Sequence, residues 1–236
     1  MSTKVGILIQ ARMSSRRVPA KVLREIAGKP MLAYVVERCK AASGADLVAI
    51  ITSDEVSDDP VAAFAAENDV VLYRGSLDDV AGRFLAAANT FGLDAFGRVT
   101  GDSPLIDQRL ISRAIALFRQ EGADLVTNVL RRTFPIGMSI EIMDRARFAE
   151  AYDAMTESDE REHATRFYHR HPELFRIVSF ENDKDLADRT LSVDHEADIA
   201  RIEKIITALE GDHRQYDCAE ICAVAERVGA LTEWAP

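Results

Sequence analysis

The sequence predicts an α/β protein built on a mostly parallel sheet with helices on both faces. Short apolar runs alternate with helix-patterned segments from residue 5 to about residue 129. The runs are continuously apolar rather than alternating, as strands covered on both faces require. Cap residues punctuate the helical segments: Gly122 follows one and Asp78 precedes another.

Each element can be justified in order. VGILIQ (residues 5–10) is the first buried strand, followed by a basic loop and a helix from about Pro30 to Ala42. LVAIITS is the second strand, ending in the polar run SDEVSDD, and alanine-rich PVAAFAAEN is a helix. VVLYRG is the third strand, a helix spans about Asp78 to Phe91, and AFGRVTGD is the fourth strand. Helix QRLISRAIALFRQEG and strand ADLVTNV complete the alternation. Beyond residue 130 the turn-rich RRTFPIG leads into strand GMSIEIMD, then two helical stretches, the polar segment HRHPELFRIVSFENDKDLADR and the short strand TLSVD. Ile199, Ile202, Ile205, Ile206 and Leu209 mark an amphipathic helix that stops near Gly211. The 236 residues predict a single domain, 1–236, with an inserted lobe at about 131–172.

Composition narrows the function classes. With 29 Lys+Arg against 39 Asp+Glu the net charge is -10, a poor footprint for duplex nucleic acid. No stretch reaches the length of a membrane span and the N-terminus lacks a signal-peptide core, which predicts a cytoplasmic protein without a membrane partner. Cys39 falls on the helical stripe Met31, Leu32, Val35, Val36, and Cys218 and Cys222 share a face with Ile221 and Ala225. Buried packing is the expected role of all three.

Against that acidic background, QARMSSRRVPAK gathers Arg12, Arg16, Arg17 and Lys21 directly after the first strand. In open α/β sheets ligands bind at the carboxyl ends of strands, and guanidinium forks with serines and backbone N–H groups suit a polyphosphate. Neither the glycine-rich P-loop nor the dinucleotide fingerprint occurs; a solvated basic loop is the plain alternative. In RVTGDSPLID, Asp102 lies at a strand's carboxyl end after Gly101, which permits an unusual backbone geometry there. LSVDHEAD repeats the arrangement with Asp194. Either aspartate alone could be a turn or cap residue. Together with a phosphate loop, the two carboxylates point to Mg2+-assisted nucleotidyl transfer.

These motifs carry a resemblance. IQARMSSRRVPAKVL, GKPML, RGSLDDVAGRF, RVTGDSPLID, EREHATRFYHRHPELF and LSVDHEADI resemble, in order and across nearly the whole chain, the cytidylyltransferase family that activates sugar acids, in its spore-coat polysaccharide branch. The resemblance implies a Rossmann-like nucleotidyltransferase fold that transfers CMP from CTP to a sugar acid and releases pyrophosphate. It also implies a homodimer, with the 131–172 lobe serving dimerisation or the substrate. By motif position, Arg12, Ser15, Arg17 and Lys21 would hold the triphosphate, with Arg16 an alternative to Arg17. Arg83 would contact the nucleotide, though its local pattern also suits a surface helix residue. Asp102 and Asp194 would bind Mg2+, and with Arg12 and Lys21 they form the catalytic set. Glu141, Arg161, Glu162 and His163 would line the sugar-acid pocket, with His163 a candidate base.

The chain also departs from the pattern. Similar chains carry glycine at Ser14 and Ala20, a small polar residue at Arg16, acids at Ile136 and Ser139, and proline at Arg166. Two rival readings remain from sequence: a sugar-nucleotide-dependent glycosyltransferase, against which the triphosphate-like loop speaks, and a non-catalytic sugar-nucleotide binding protein.

Overall fold

Alternate residues of the first strand face two separate cores, which explains its unbroken apolar run. The computed structural model describes residues 3–15 and 17–234. In it β1 (Val5–Gln10) sends Ile7 and Ile9 into one core and Leu8 into the other, all three fully buried. After a short hairpin of β2 (Glu25–Ile26) and β3 (Lys29–Pro30) come α1 (Met31–Ala41), β4 (Leu47–Ser53), α2 (Asp59–Glu67) and β5 (Val71–Gly75). α3 (Val80–Thr90), β6 (Ala95–Thr100), α4 (Gln108–Glu121), β7 (Leu125–Thr127) and β8 (Glu141–Asp144) follow. The rest of the chain forms α5 (Arg145–Ala154), α6 (Ser158–Glu162), α7 (Arg166–Arg170), β9 (Ile177–Ser179), β10 (Arg189–Thr190), α8 (Glu196–Ala208), α9 (Cys218–Arg227) and β11 (Thr232–Glu233).

Seven strands form the central sheet in the order β5-β4-β1-β6-β8-β7-β9. β5, β4, β1 and β6 run parallel, while β8 is antiparallel to both β6 and β7. The mostly parallel sheet and its helical cover are thus as the sequence predicts, and the reversal at β8 is new. β9 is a correction: Ile177 and Val178 pair with β7 inside the stretch read as polar, because two apolar residues give no periodic signal. The strand expected over TLSVD shrinks to Thr190, which pairs with Thr232.

One core lies under α1, α4, α8 and α9, the other under α3, α5 and α7. The stripe Met31, Leu32, Val35, Val36 and Cys39 is buried as predicted, and all three cysteines are free and buried. Gly122 ends α4 in the left-handed region at φ 60, as its cap reading requires. At α3 the cap moves by one residue: Asp79, not Asp78, accepts from Gly82 N at 2.8 Å. Arg38, fully buried on α1, ties the C-terminal segment down, donating to Gln108 Oε1 at 3.0 Å and to the carbonyls of Ile106, Tyr216 and His213. Burial lowers its pKa to about 10. No described helix is long and apolar enough to cross a membrane.

Candidate active site

A cleft of about 700 Å³ opens at the carboxyl ends of β1 and β6. Adjacent parallel strands place their following loops side by side there, so residues far apart in sequence converge. Gly101 N donates to Gln10 O at 2.8 Å, holding the two strand ends together. Gly101 does not use a left-handed backbone, contrary to the sequence expectation. A side chain there would instead meet Ala11 Cβ at 3.2 Å and Leu32 Cδ1 at 3.3 Å, so the glycine serves close packing.

The loop after β1 brings Arg12, Ser14, Ser15, Arg17 and Lys21 to the cleft; Arg16 lies outside the described residues. Ala20 N donates to Met13 O at 3.0 Å and Val18 N to Ser15 Oγ at 3.4 Å, closing the loop on itself. Ala20 adopts φ 58, so the left-handed turn that suits glycine persists with a methyl group on it. Ser14 needs no such geometry. Beneath the loop sits Asp58, which sequence reasoning left as one acid in a polar run. Fully buried, it accepts from Met13 N at 2.7 Å, Thr52 Oγ1 at 3.0 Å, Ser53 Oγ at 2.5 Å and Ser53 N at 3.1 Å. Burial alone would raise its pKa, but the Ser53 and Met13 bonds carry it below the ordinary value. Asp58 is therefore an ionised anchor for the basic loop.

Asp102 and Asp194 face each other across Lys21. Lys21 Nζ donates to Asp102 Oδ2 at 2.7 Å and Val193 O at 2.8 Å, and lies 3.8 Å from Asp194 Oδ1. Arg17 Nη1 approaches the same Asp194 oxygen at 4.0 Å. Val193 N donates to Asp102 O at 3.0 Å, so the two acidic segments are stitched by backbone. Asp194 is not the N-cap of α8: His195 occupies that position, and Asp198 Oδ2 accepts from the backbone N of both Asp194 and His195. The Asp194 carboxylate is thereby left to face the cleft.

Both carboxylates supply hard oxygen donors, and a cation, the Lys21 ammonium, already bridges them. That arrangement fits Mg2+, which takes few protein oxygens and fills its shell with water and phosphate. Among the described residues no cluster of three or more metal-ligating side chains exists, so any such ion would depend on the substrate for further ligands.

Other predicted site residues divide. Glu162 lines the cleft with Ser158 from α6, and His163 adjoins them at the end of that helix. Burial and the neighbouring Arg166 cation lower the His163 pKa. Arg161 turns away: it pairs with Asp79 Oδ2 at 3.4 Å and lies 4.4 Å over the Tyr152 ring, latching α6 to the start of α3. Glu141 is buried rather than cleft-lining, bonded to Thr165, His169 and Arg98. Arg83 is 1% exposed and sits behind the Leu77–Asp78 lip of the cleft. Its Nη1 donates to Ser76 O at 2.6 Å, while Nε and Nη2 are buried without partners. Burial and the nearby Arg12 cation lower its pKa to about 10. The surface-helix alternative for Arg83 is excluded.

Comparison with known proteins agrees with this fold. The cytidylyltransferase family model matches residues 6–218. The chain is 27% identical over 227 residues to the spore coat polysaccharide biosynthesis protein SpsF of Bacillus subtilis, covering 93% of each chain. It is 29% identical over 226 residues to 3-deoxy-manno-octulosonate cytidylyltransferase 2 of Hydrogenovibrio crunogenus, covering 89% of this chain and 88% of that one. A solved cytidylyltransferase from Leptospira borgpetersenii superposes with a TM-score of 0.91 at 30% identity, covering 97% and 96% of the two chains. The CMP:2-keto-3-deoxy-manno-octonic acid synthetase complexed with CTP, at 17% identity, shares the fold with a TM-score of 0.66, covering 87% and 99%.

Proposed function

The chain belongs to the cytidylyltransferase family, a family of nucleotidyltransferase enzymes, and on that premise we propose that it transfers CMP from CTP to a sugar acid, releasing pyrophosphate. The supporting observation is the cleft itself, with Arg12, Arg17 and Lys21 opposing Asp102 and Asp194. The sugar-acid class rests on relatives whose names specify 3-deoxy-manno-octulosonate and 8-amino-3,8-dideoxy-manno-octulosonate as substrates. Surface polysaccharide assembly, a cytoplasmic location and a homodimer belong to the same proposal.

In this reading the first loop binds the triphosphate. Arg12 and Arg17 offer forked donors and Lys21 a point charge, together stabilising the negative charge that develops on the leaving pyrophosphate. Asp102 and Asp194 would hold Mg2+, which when bound supplies charge neutralisation and polarisation of the α-phosphoryl group. Asp58 keeps the loop in register through Met13 N. The depressed His163 is neutral at neutral pH, the state a proton acceptor needs, and it adjoins cleft-lining Glu162. Among the described cleft residues, the acids Asp78, Asp102, Glu162 and Asp194 outnumber the bases Arg12, Arg17 and Lys21. Binding of a tetra-anionic nucleotide should therefore require a divalent cation.

The test is calorimetric binding of CTP, UTP, ATP and GTP with and without Mg2+, followed by pyrophosphate release in the presence of the two named octulosonates. The proposal expects Mg2+-dependent CTP preference and acid-dependent release, both lost in Asp102→Asn. Failure of every triphosphate to bind would overturn it.

A further inference from the structure

A polar row crosses the carboxyl rim of the sheet on the face covered by α7. Arg98 on β6 pairs in register with Glu141 on β8, which pairs with Thr127 on β7. One step further into the sheet, the same face is apolar: Phe96, Met143 and Leu125. Arg98 shares its face with Thr100, two residues on, which lines the cleft. The row thus runs from the cleft across β6, β8 and β7, away from the basic loop that follows β1.

Not every donor in this row has a partner. Glu141 is saturated: Oε2 accepts from Thr165 Oγ1 at 2.8 Å and Arg98 Nη1 at 3.2 Å, while Oε1 meets His169 Nε2 at 3.1 Å and Thr127 Oγ1 at 3.4 Å. Its carboxyl is held below the ordinary glutamate value: burial opposes this, but the His169 bond and the Arg98 charge prevail. Arg98 Nε is nevertheless buried without a partner. Half-buried Arg132 reaches the loop that leads into β8, where Ser139 stands two residues before Glu141. Among the described residues Arg132 forms no salt bridge, and its hydrogen bond goes to the neutral Ser139 Oγ at 3.1 Å. Glu141 thus bonds Arg98, whereas Arg132 has no acidic partner among the described residues.

The loop carrying Arg132 and Ser139 is fixed to the acidic side of the cleft. Ile136 bridges Thr190, and Gly137, at φ +98, lies so close that a Cβ would meet Leu191 C at 2.8 Å and Ser192 N at 2.9 Å. Ser192 Oγ in turn donates to Asp194 Oδ2 at 3.1 Å. Asn128 clamps the loop's far end, donating to Met138 O and accepting from Ile140 N.

We propose that Arg132 and Arg98 form the subsite that receives the carboxylate of the acceptor sugar, with Glu141 as the buried residue that positions Arg98 rather than a substrate contact. This rests on the sugar-acid reading above. A carboxylate supplies the acidic partner Arg132 lacks and an acceptor for Arg98, and it stays on the opposite side of β6 from the triphosphate loop.

The test compares pyrophosphate release with 3-deoxy-manno-octulosonate, its 8-amino-3,8-dideoxy form and the methyl ester of each, for wild type, Arg132→Gln and Arg132→Lys. Loss of a charged hydrogen bond predicts that Arg132→Gln raises KM for the acids about 10- to 100-fold. KM for CTP and turnover of the esters should change less than about twofold, with partial rescue in Arg132→Lys. Arg132→Gln and Arg132→Lys should keep the wild-type urea midpoint, which separates the acid-specific loss from a folding defect. Equal losses on acid and ester, a parallel rise in KM for CTP, or an unaffected Arg132→Gln would each overturn the subsite while leaving the proposed function standing. If wild type binds CTP but releases pyrophosphate with none of the acids, the sugar-acid reading fails and this inference with it.

Discussion

Replacing Arg83 with methionine should separate a ligand-binding arginine from a structural one, because the two roles predict opposite stability changes. The buried guanidinium carries two nitrogen positions, Nε and Nη2, without partners, and each buried unsatisfied donor costs about 1–3 kcal/mol. Methionine keeps most of the volume and removes both. What is lost is the charge-assisted bond to Ser76 O, about 1.5–3 kcal/mol, and Ser76 is exposed, so water can replace the donor. The balance runs from about 1 kcal/mol less stable to about 4 kcal/mol more stable for the unliganded protein, whereas truncating an ordinary large core residue costs about 2–5 kcal/mol. Nucleotide binding should move the other way. At CTP a hundredfold above Kd the wild type gains about 2.7 kcal/mol, and a tenfold weaker variant at the same concentration gains about 1.4 kcal/mol. Urea unfolding with and without CTP and Mg2+ measures both quantities in one experiment. An Arg83→Met protein destabilised by more than about 3 kcal/mol, with its CTP-dependent gain intact, would refute the reasoning and make Arg83 a core strut.

Removing the anchor beneath the basic loop should be costly: Asp58→Ala strands Met13 N and the Ser53 and Thr52 donors, so at least about 3 kcal/mol is expected in urea unfolding, together with weaker CTP binding. Ala20→Gly relieves a left-handed alanine but loosens the unfolded chain, and a change between zero and about 1 kcal/mol of added stability is expected; clear destabilisation would count against the strain. His163 has a folded pKa below its ordinary 6.5, so the unfolded chain binds more protons as pH falls through and below that value, and acidification from neutral must reduce stability. In His163→Gln the thermal midpoint should therefore fall less between pH 7 and 5.5 than in wild type.

How much of this was legible in the sequence follows from which signals are local. β1 was readable because both faces of one short run are buried, and α1 because its stripe repeats at helical spacing. The basic loop and Asp102 were readable because each follows a strand; Asp194 was readable because LSVDHEAD repeats the Asp102 pattern, although the strand read before it reduces to Thr190. Orientation was not: nothing in EIMD says that β8 runs antiparallel between β6 and β7, since direction is decided by where the chain returns. The same non-local geometry moved Glu141 and Arg161 out of the cleft. Glu141 points to the row it shares with Arg98 across the sheet, and Arg161 finds Asp79, 82 residues away. Asp58 was hidden for the complementary reason, one acid among several in SDEVSDD until burial under Met13 singles it out. Residues that touch the cleft directly thus announce themselves by type and strand position, whereas the residues that hold them there are ordinary until the fold supplies their partners. Arg132 belongs to neither group. Its candidacy arises from a partner that is neutral, Ser139, and from a carboxylate already taken by others, Glu141, an absence of charge that only the assembled sheet can reveal.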